Sequence, residues 1–555
     1  SNSFCTLLDC HPTSNPMAGV TKTTNPATGE ALPPVPNTSE AEARRVFDVA
    51  RKAQFGWSRL TFSERAAFVK RIKAFLAANA DRGAEIISKA SGKTRQDALA
   101  TEVLPCIMAC DWYIKNTASV LKKQSLSCGN ILFANKSNTL EYTPLGVVGI
   151  ISPWNYPFSI PFGEVIMGLM AGNAIVLKVG TPTVTVGAFI DECISAGGLP
   201  EGIFTHIVTP GATTSKIMFE CKVDKIFFTG SVGVGKRLMK DAAESLTPLS
   251  LELGGKDAAV VLADADLERA TNCIAWAGYQ NAGQSCGGVE RVYVHEDVYD
   301  KFVAMLAHKT QALRHGPDNG KIGDVDVGAV TTKGQLDTIR KQVDEAVAAG
   351  ARIVAQSRPV GDCSNGYFFP ATLMTNVTHR MSLMTEETFG PVIPVMKFST
   401  IEEAMEMGND CTMALTASVF SANHKKAREV ASMLEAGVVT INDHLYSHGQ
   451  SEAPWGGWKE SGLGRTHGVL GLKEMSNVRC VNDDLLPGWM EPRNMWWYPF
   501  SEKSYKGIRA GVDFLAPRGV GHFFGAVKTL LGFATGHMFT AWKPSNDDAA
   551  SKKSK

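Results

Sequence analysis

The cysteines of this sequence are scattered and form no regular framework. There are twelve in 555 residues, and none are spaced as a CxxC pair. Cys106 and Cys110 lie four residues apart in a predicted helix, but no histidine or second cysteine pair stands near them, so no metal site is predicted. Dispersed cysteines in a large chain favour a reduced, cytoplasmic interior.

The sequence also lacks an excess of charge of either sign. Lys plus Arg number 56 and Asp plus Glu number 55, which gives a formal net charge of +1. Because no long-range field of one sign results, the main body is not expected to bind nucleic acid. A chain of 555 residues exceeds what one core usually organises, and a hydrophobic content of 44% is ordinary, so we expect a large enzyme of two or more domains.

Neither end of the sequence carries a long uninterrupted apolar run. Residues 1–21 lack the basic and apolar regions of a signal peptide, and we expect a loose N-terminal arm there. Residues 519–542 are apolar overall, but His522, Lys528 and His537 interrupt them, so no transmembrane span is predicted. Two interpretations stay open: an amphipathic helix on a membrane surface, or a helix packed on the protein itself or on a partner subunit. The final residues are expected to form a disordered tail.

Apolar strands alternate with helices in the middle of the chain. The runs Leu145–Ser152, Ala174–Val179 and Lys225–Gly230 are separated by stretches with helical character. This alternation predicts βαβ units and a parallel sheet covered by helices. Ligands of such sheets bind beyond the carboxyl ends of the strands, so the loops after these runs are the candidate binding loops.

A glycine-rich turn follows the third run. Gly230, Gly233 and Gly235 stand in GSVGVGK, and a helix is predicted to begin near Ser231. Glycines let the backbone come close to a ligand, and a helix N-terminus favours a phosphate. The spacing is not GxGxxG, so nucleotide binding and an ordinary strand-to-helix turn both stay open on this motif alone.

Seven motifs occur in one order along the chain. They read SPWNYPF, LKVG, FFTGSVGVGK, LELGGKD, GQSC, EETFGPV and PWGGWKESGLGR. With this set, over about residues 22–482, the sequence resembles the aldehyde dehydrogenase superfamily. The resemblance implies an α/β fold with a Rossmann-type cofactor domain, an α/β catalytic domain and a small β-ribbon that joins subunits into a homodimer or homotetramer.

The resemblance also implies domain boundaries. The NAD(P)-binding domain is expected at residues 22–123 and 145–255, and the catalytic domain at residues 256–469. The oligomerisation strands are expected at residues 124–144 and 470–485. Residues 486–555 lie outside the resemblance and form a C-terminal extension.

Three residues match those that carry aldehyde oxidation in the family. Cys286, in GQSC, matches the nucleophile. Its thiolate adds to the carbonyl, and it leaves again when the thioester formed on it is hydrolysed. Asn155, in PWN, matches the side-chain amide that stabilises the oxyanion beside the backbone N–H of Cys286. Glu252, in LELGG, matches the base that activates water, and its apolar neighbours are expected to raise its pKa.

These residues disfavour two alternatives to a hydrolytic dehydrogenase. One is a dehydrogenase that passes the acyl group to coenzyme A, and family members of that kind often lack the glutamate found here as Glu252. The other is a non-catalytic member recruited to a membrane. Loss of Cys286, Asn155 or Glu252 would have indicated it, and all three are present.

The motifs imply the residues that bind NAD or NADP. Lys178 matches the lysine that holds the adenosine ribose hydroxyls or the 2′-phosphate, and Thr181 stands where many NAD-preferring relatives carry a glutamate. Because a carboxylate would repel the 2′-phosphate and a threonine would not, we expect NADP to be accepted. Glu387 and Phe389 match residues that hold the nicotinamide ribose and ring. The other cofactor-binding residues implied are Ser152, Pro153, Trp154, Gly230, Ser231, Leu253 and Gly254.

Three positions that follow the oxyanion residue are expected to line the aldehyde tunnel: Tyr156, Ile160 and Gly163. Gly163 stands where several short-chain enzymes of the family have a large aromatic residue. Its small size favours a wider tunnel and a bulky or long-chain aldehyde. The alternative is that Gly163 only allows close helix packing.

Overall fold

The computed structural model describes residues 19–494 and 496–540. The predicted disordered tail, most of the predicted N-terminal arm and the last two residues of the predicted apolar helix lie outside them. The chain forms two compact units. Residues up to Leu121 together with Thr143–Asn477 make the first, and Lys122–Tyr142 with the residues from Val478 make the second.

The first unit contains a six-stranded sheet built from the predicted βαβ run. Its strands lie in the order Gly462–Leu463, Leu249–Glu252, Lys225–Thr229, Val147–Ile151, Ala174–Lys178 and Phe204–His206. All neighbours are parallel except the first pair. The three strands around the centre are buried along their whole length, which explains their continuous apolar sequences.

Helices connect the strands of this sheet and pack beside them. They are Glu40–Trp57, Phe62–Ala78, Ala80–Ser91, Arg95–Ala98, Leu104–Val120, Ser159–Ala171, Val184–Ser195, Gly211–Glu220 and Val232–Ala243. Helix Ser159–Ala171 is buried at every residue. Its one charged side chain, Glu164, is therefore enclosed by protein.

The second sheet of the first unit has seven strands. They lie in the order Arg352–Gln356, Thr372–Thr375, Val392–Phe398, Val289–His295, Asp257–Val261, Thr416–Phe420 and Val438–Ile441. Only Arg352–Gln356 runs antiparallel to its neighbour. The helices that accompany it are Leu267–Tyr279, Glu296–Ala312, Lys333–Ala348, Ser382–Thr385, Ile401–Asn409 and His424–Ala431. Helix Gly468–Glu474 packs instead on helices Leu104–Val120 and Ser159–Ala171. Short two-stranded pairings join Val20–Thr21 to Val35–Pro36, Arg314–His315 to Arg358–Pro359 and Met413–Ala414 to Trp458–Lys459.

The segment LELGGKD carries the chain from one sheet to the other. Strand Leu249–Glu252 belongs to the six-stranded sheet, and strand Asp257–Val261 belongs to the seven-stranded sheet. Asp257 pairs in parallel with Val289, the first residue of the strand that follows GQSC. Because Glu252 and Cys286 each stand a few residues before these paired strand ends, the pairing brings the two side chains together.

The second unit contains a three-stranded sheet. Strands Ser476–Asp484, Lys136–Pro144 and Gln124–Leu126 lie in that order. Residues 470–474 of the predicted strand region 470–485 are helical instead, as the end of helix Gly468–Glu474. Gly471 allows that turn to lie close to the side chain of Met167, an approach that a larger residue would prevent.

Two helices at the end of the chain complete the second unit. They span Glu502–Leu515 and Val520–Phe533, and the latter continues as a π-helical turn, Ala534–Met538. The rings of Phe514 and Phe523 stack at 5.3 Å between centroids. The predicted apolar helix therefore packs on its neighbouring helix.

Parallel sheets connected by helices confirm the predicted α/β class.

All ten cysteines within the described ranges are free thiols. Among the described residues, no helix combines the length and the apolar composition needed to cross a membrane.

Candidate active site

A cleft of about 420 Å³ opens in the first unit beyond the carboxyl ends of the six-stranded sheet. Residues from five of the seven motifs meet there. The predicted site residues that line it are Pro153, Trp154, Asn155, Thr181, Gly230, Ser231, Glu252, Gly254, Cys286, Glu387 and Phe389. The structure thus brings together side chains that stand more than 200 positions apart in the sequence.

A smaller pocket of about 30 Å³ continues at the same sheet edge. Ser152 and Lys178 line it together with apolar side chains such as Phe228 and Leu238. Leu253, also predicted to bind the cofactor, lines neither space. It packs instead against Gly235, where an added Cβ would lie 2.8 Å from the leucine side chain.

The predicted nucleophile is a buried thiol that reaches the cleft. Cys286 is 7% exposed. Burial raises its pKa well above the ordinary value, and the neighbouring charge of Glu252 raises it further. The resting site therefore holds a neutral thiol beside a carboxylate that can accept its proton.

The backbone before the nucleophile is left-handed over three consecutive residues. Asn281, Ala282 and Gly283 have φ of 52°, 53° and 72°. A non-glycine residue in this region costs of the order of 1 kcal/mol or more, so hydrogen bonds must hold the loop. Asp97 accepts from the Asn281 backbone N–H at 3.1 Å, and the Gln284 side chain donates to the Asn281 carbonyl at 2.9 Å.

The side chain of Asn281 joins the nucleophile loop to the oxyanion residue. Its amide donates to the backbone carbonyl of Asn155 at 2.9 Å and to that of Gln284 at 3.0 Å. The Asn155 amide donates to the same Gln284 carbonyl at 3.1 Å. One N–H of the Asn155 amide remains for an oxyanion in the cleft, since the group carries two.

A buried ion pair supports the same turn from behind. Lys93 and Glu102 are both fully buried and form a salt bridge. The Lys93 ammonium also donates to the Asn155 carbonyl at 2.8 Å. Glu102 accepts from the backbone N–H groups of Phe158 and Ser159, at 2.7 and 3.1 Å, and so caps helix Ser159–Ala171. Sequence reasoning missed both residues, because no local pattern marks a pair whose partners come together only in the fold.

The predicted base lies at the end of its strand, with one oxygen held and one without a protein partner. Glu252 Oε1 accepts from the indole N–H of Trp455 at 2.9 Å, whereas the buried Oε2 has no hydrogen-bond partner. Burial raises the pKa of Glu252 to about 7, in the direction that its apolar neighbours predict, although the Trp455 hydrogen bond opposes the rise. A carboxyl group with this pKa can work as a general base near neutral pH.

The EETFGPV segment forms the opposite wall of the cleft. Glu387 Oε1 accepts from the Gly255 N–H at 3.1 Å, and an added Cβ at Gly254 would lie 2.5 Å from the other carboxylate oxygen. Desolvation raises the pKa of Glu387 well above its ordinary value. The ring of Phe389 meets Trp154 edge-on at 5.6 Å between centroids.

The first turn of helix Val232–Ala243 presents polar groups without partners at the cleft. Ser231 stands at the N-cap without a capping hydrogen bond, and its buried Oγ has no partner. An added Cβ at Gly233 would meet no atom within 4 Å. The free backbone N–H groups of a helix start and this hydroxyl suit a phosphate group.

Several lining residues were not predicted from the sequence. They are Lys22, Thr23, Pro182, Pro210, Gly211, Thr229, Thr332, Gly334 and Gln335. Some of these carried a usable signal, since Pro210 and Gly211 follow a short strand and begin a helix, as binding loops of parallel sheets do. Gln335 carried none. It is placed by donating to the Thr388 carbonyl at 2.9 Å.

The predicted tunnel residues lie behind the cleft and do not line it. Tyr156 and Ile160 are buried, and the Tyr156 hydroxyl is hydrogen-bonded to the Gln280 amide. Gly163 is also buried, yet an added Cβ there would meet no atom within 4 Å. The position of the missing Cβ is therefore open space, and no close contact of another helix is seen there among the described residues.

Apart from the Lys93–Glu102 ion pair, the buried titratable groups around Tyr156 carry little charge at neutral pH. The centroid of the His448 ring lies 5.6 Å from that of Tyr156, 4.9 Å from that of Trp455 and 5.6 Å from that of His467. Burial lowers the pKa of His448 to about 4 and that of His467 to about 3. Burial and the charge of Glu252 raise the pKa of Glu164 to about 8. This region therefore favours an uncharged ligand.

Comparison with known proteins gives consistent matches. The sequence profile of the Aldehyde dehydrogenase family matches residues 14–481. The chain is 35% identical over 493 residues to the 4,4'-diapolycopene aldehyde oxidase of Methylomonas sp, which covers 88% of this chain and 90% of that protein. It is 33% identical over 460 residues to the succinate-semialdehyde dehydrogenase (NADP+) of Mycobacterium avium, and the match covers 83% of this chain and 96% of that protein. The solved NAD+ complex of a Bacillus cereus aldehyde dehydrogenase superposes with a TM-score of 0.78 and 29% identity, covering 84% and 94%.

Replacement of Gly283 by alanine tests whether the nucleophile loop needs its left-handed, close-packed glycine. The added Cβ would overlap the carbonyl of Gly390, and φ of 72° is unfavourable for alanine. We expect Gly283→Ala to lower the free energy of unfolding by about 2–4 kcal/mol, measured by urea denaturation. Gly56→Ala is the matched control, because a Cβ there meets no atom within 4 Å and the helix should gain up to about 1 kcal/mol. Equal stability of Gly283→Ala and the unaltered protein would contradict the account.

Proposed function

This chain belongs to the aldehyde dehydrogenase family and is an NAD(P)-dependent enzyme that oxidises aldehydes, and from that premise we propose that it works through a covalent intermediate on Cys286 and releases a free carboxylic acid. The observation that carries the proposal is that the Glu252 carboxyl and the Cys286 thiol line one cleft, where the charge of Glu252 raises the pKa of the thiol. A base with a pKa of about 7 beside a neutral thiol suits both activation of the thiol and activation of water.

The first step forms the bond between sulfur and substrate. Glu252 takes the thiol proton of Cys286, and the thiolate attacks the carbonyl carbon of the aldehyde. The carbonyl oxygen becomes an oxyanion, which the remaining N–H of the Asn155 amide and the backbone N–H of Cys286 stabilise. The fixed position of Asn155 matters here, because a donor placed before the reaction has no reorganisation to perform.

The second half of the reaction regenerates the thiol. NAD(P), when bound, supplies the acceptor for the hydride that leaves the carbon of the adduct, and the acyl group then remains on Cys286 as a thioester. Glu252 first releases the thiol proton to solvent and then takes a proton from a water molecule, whose oxygen attacks the thioester carbonyl. The carbon–sulfur bond breaks, the carboxylic acid leaves and Cys286 recovers its proton. The buried base next to the nucleophile disfavours the coenzyme A-dependent and non-catalytic alternatives.

The residues around the cleft fit a dinucleotide. Ser231 and the first turn of helix Val232–Ala243 would hold a phosphate, and the apolar slot beside Phe228 and Leu238 would hold the flat adenine ring. Lys178 would reach the adenosine ribose, and Glu387 the nicotinamide ribose. Pro153, Trp154 and Phe389 would enclose the ring near Cys286.

We infer that NADP is bound at least as well as NAD. Thr181 lines the cleft at the start of the short helix Thr181–Thr183, three positions after Lys178. A neutral hydroxyl at this position can donate to a 2′-phosphate, whereas a carboxylate would repel it. The NADP-dependent relative from Mycobacterium avium is compatible with this preference.

We infer further that the substrate is an uncharged, bulky or long-chain aldehyde. The empty space at Gly163 leaves room that a larger residue would occupy. The buried Lys93 is already paired with Glu102, and neutral His448 and His467 and the buried carboxyl of Glu164 add no cation for a substrate carboxylate. These features agree better with the relative named for 4,4'-diapolycopene aldehyde than with the one named for succinate semialdehyde.

We infer that the enzyme works as a homodimer or homotetramer. Strand Ser476–Asp484 lies at the edge of its three-stranded sheet and is exposed from Asn477 onwards. An exposed strand edge is a ready site for pairing with a second copy.

We infer that the C-terminal extension contacts an anionic membrane surface from the cytoplasmic side. Residues 486–555 contain ten Lys and Arg against five Asp and Glu, although the whole chain carries only +1. Large apolar side chains are exposed along the same extension, among them Trp489, Val520, Phe524 and Leu531. Basic and exposed apolar side chains together are typical of segments that lie on a bilayer. Free thiols within the described residues agree with a reducing compartment.

Glu252→Gln tests the role of the base. The hydrolytic rate of the unaltered enzyme should rise with pH through about 7, because only the ionised carboxylate accepts a proton. Glutamine cannot accept it, so we expect the rate to fall by about 10²–10⁴-fold and to lose this pH dependence. Steady-state turnover without coenzyme A, followed by absorbance of the reduced nicotinamide from pH 5 to 9, measures both. A Glu252→Gln enzyme with the unaltered pH profile would contradict the assignment.

Thr181→Glu tests cofactor choice. The new carboxylate would face the 2′-phosphate, so kcat/KM for NADP should fall by about 10–100-fold while kcat/KM for NAD is kept. Thr181→Gln, which has similar size and no charge, is the control and should retain NADP. Equal loss with both cofactors would show that position 181 does not read the phosphate.

Gly163→Phe tests the width of the tunnel. The ring would fill the empty space, so kcat/KM should fall at least tenfold for a long-chain aldehyde and little for a short one. The unaltered enzyme should turn over succinate semialdehyde less efficiently than an apolar aldehyde of equal length. A uniform loss over all chain lengths, or a preference for succinate semialdehyde, would contradict the assigned substrate class.

Replacement of Val520, Phe524 and Leu531 by serine tests the membrane contact. Sedimentation with vesicles that contain anionic lipid should carry down the unaltered protein, and the triple variant should lose at least half of this binding. Leu246→Ser removes an equally exposed apolar side chain from the first unit and serves as the control. Binding that survives the triple replacement, or that requires no anionic lipid, would reject the contact.

A further inference from the structure

Trp455, in the motif PWGGWKESGLGR, takes no part in the bond-making and bond-breaking steps of the proposed reaction. Its side chain is 2% exposed, and its indole N–H donates to Glu252 Oε1 at 2.9 Å. Glu252 itself is 6% exposed. The buried indole N–H binds one carboxylate oxygen of the base, and the second oxygen has no hydrogen-bond partner. This is a specific hydrogen bond and not a general packing contact.

The position of Trp455 is fixed from several sides. Its backbone exchanges two hydrogen bonds with Thr466, at 2.9 and 2.8 Å. The His448 ring meets the indole edge-on at 4.9 Å between centroids. On the other side the indole lies so close to the nucleophile loop that a Cβ added at Gly287 would be 2.6 Å from its Cη2 atom. The indole is therefore wedged between the loop of Cys286 and the carboxyl of Glu252.

The held and free oxygens of Glu252 then have different tasks. Oε1 is occupied by the indole N–H, so a second proton donor has access to Oε2. A carboxylate without the indole could rotate and present either oxygen, or turn away from the thiol. Carboxyl torsions are broad, so only such a contact fixes one orientation.

We propose that Trp455 is a positioning residue for thioester hydrolysis: its indole N–H holds Glu252 Oε1, so that Oε2 is the oxygen that takes the proton from the attacking water. The inference rests on the proposed function, since it needs Glu252 to act as the base. The water loses its proton to Oε2 while its oxygen bonds to the thioester carbon, and the Cys286 sulfur leaves.

The same hydrogen bond sets the pH range of the base. An N–H donated to a carboxylate favours the ionised form, and here it lowers the pKa of Glu252 against the effect of burial. Removal of the N–H should therefore raise that pKa. Because the ionised form is the active one, the rising limb of the hydrolysis rate should move to higher pH.

Trp455→Phe removes the N–H and keeps an aromatic ring. Trp57→Phe is the matched control, because Trp57 is also 2% exposed and its indole donates to the Leu169 carbonyl at 3.1 Å, on another part of the first unit. The probe is p-nitrophenyl acetate without cofactor, which acylates the cysteine directly. The burst of nitrophenolate counts competent Cys286 thiols, and the slower steady rate reports hydrolysis of the acyl-enzyme.

We expect Trp455→Phe to give a full burst and to shift the midpoint of the hydrolysis profile upward by about one pH unit. At a pH below both midpoints, hydrolysis should therefore be about tenfold slower than in the unaltered enzyme. The rate at high pH should stay within about threefold, and Trp57→Phe should show no shift. An unmoved midpoint in Trp455→Phe, or a rate lowered equally at every pH, would overturn the proposal.

Two further variants are measured with the same ester. If Trp455→Phe gives no burst because it does not fold, benzothienylalanine at position 455 replaces the N–H by sulfur with almost the same shape and should give the same shift. Glu252→Gln, measured with the same ester, separates the two proposals. If it retains the unaltered profile, the proposed function fails. If it loses the pH dependence while both changes at position 455 are neutral, only the role of Trp455 fails.

Discussion

The carboxamide of Asn281 joins two segments that stand 126 residues apart in sequence. Its N–H groups bind the carbonyls of Asn155 and Gln284, and the Asn155 amide binds the same Gln284 carbonyl. The loop of the nucleophile and the turn of the oxyanion donor are thereby one hydrogen-bonded body. Together with the bonds of Asp97 and the Gln284 side chain to the Asn281 backbone, these hydrogen bonds hold the left-handed loop and fix the position of Cys286 relative to Asn155.

A second layer of buried charge holds this body in place. Lys93 supports the Asn155 carbonyl while Glu102 caps the helix that follows, so the turn is held at both of its ends. Unpaired, either charge would be costly to bury, and each is stable only because the other is present. The reacting groups next to this ion pair can change their protonation state near neutral pH. Burial keeps Cys286 protonated and raises the pKa of Glu252 to about 7. The site thus combines a rigid charged support with reactive groups that exchange protons easily.

Sequence motifs were sufficient to predict the α/β class and the groups that meet in the cleft, because the motifs lie at strand ends and strand ends of a parallel sheet share one edge. The supporting residues were not predictable in this way. Lys93, Glu102 and Trp455 act through partners that only the fold places beside them, and Trp455 is 203 residues from Glu252. Gly163 shows a related limit. Its identity could mean close packing or open space, and only the surroundings of its missing Cβ decide between them.

The most direct measurement of the mechanism is the mass of the Glu252→Gln protein after a brief reaction with an aldehyde and NAD(P), followed by acid quench and peptide mapping. In a reaction at alkaline pH, where the Cys286 thiol ionises without Glu252, we expect an acyl group on the peptide that contains Cys286, because the thioester then forms but lacks the base for its hydrolysis. The acyl substituent has the mass of the aldehyde less one hydrogen atom. We also expect no adduct in the Cys286→Ser variant treated in the same way. Turnover by Glu252→Gln without any adduct on Cys286, or an adduct on a different cysteine, would contradict covalent catalysis at this residue.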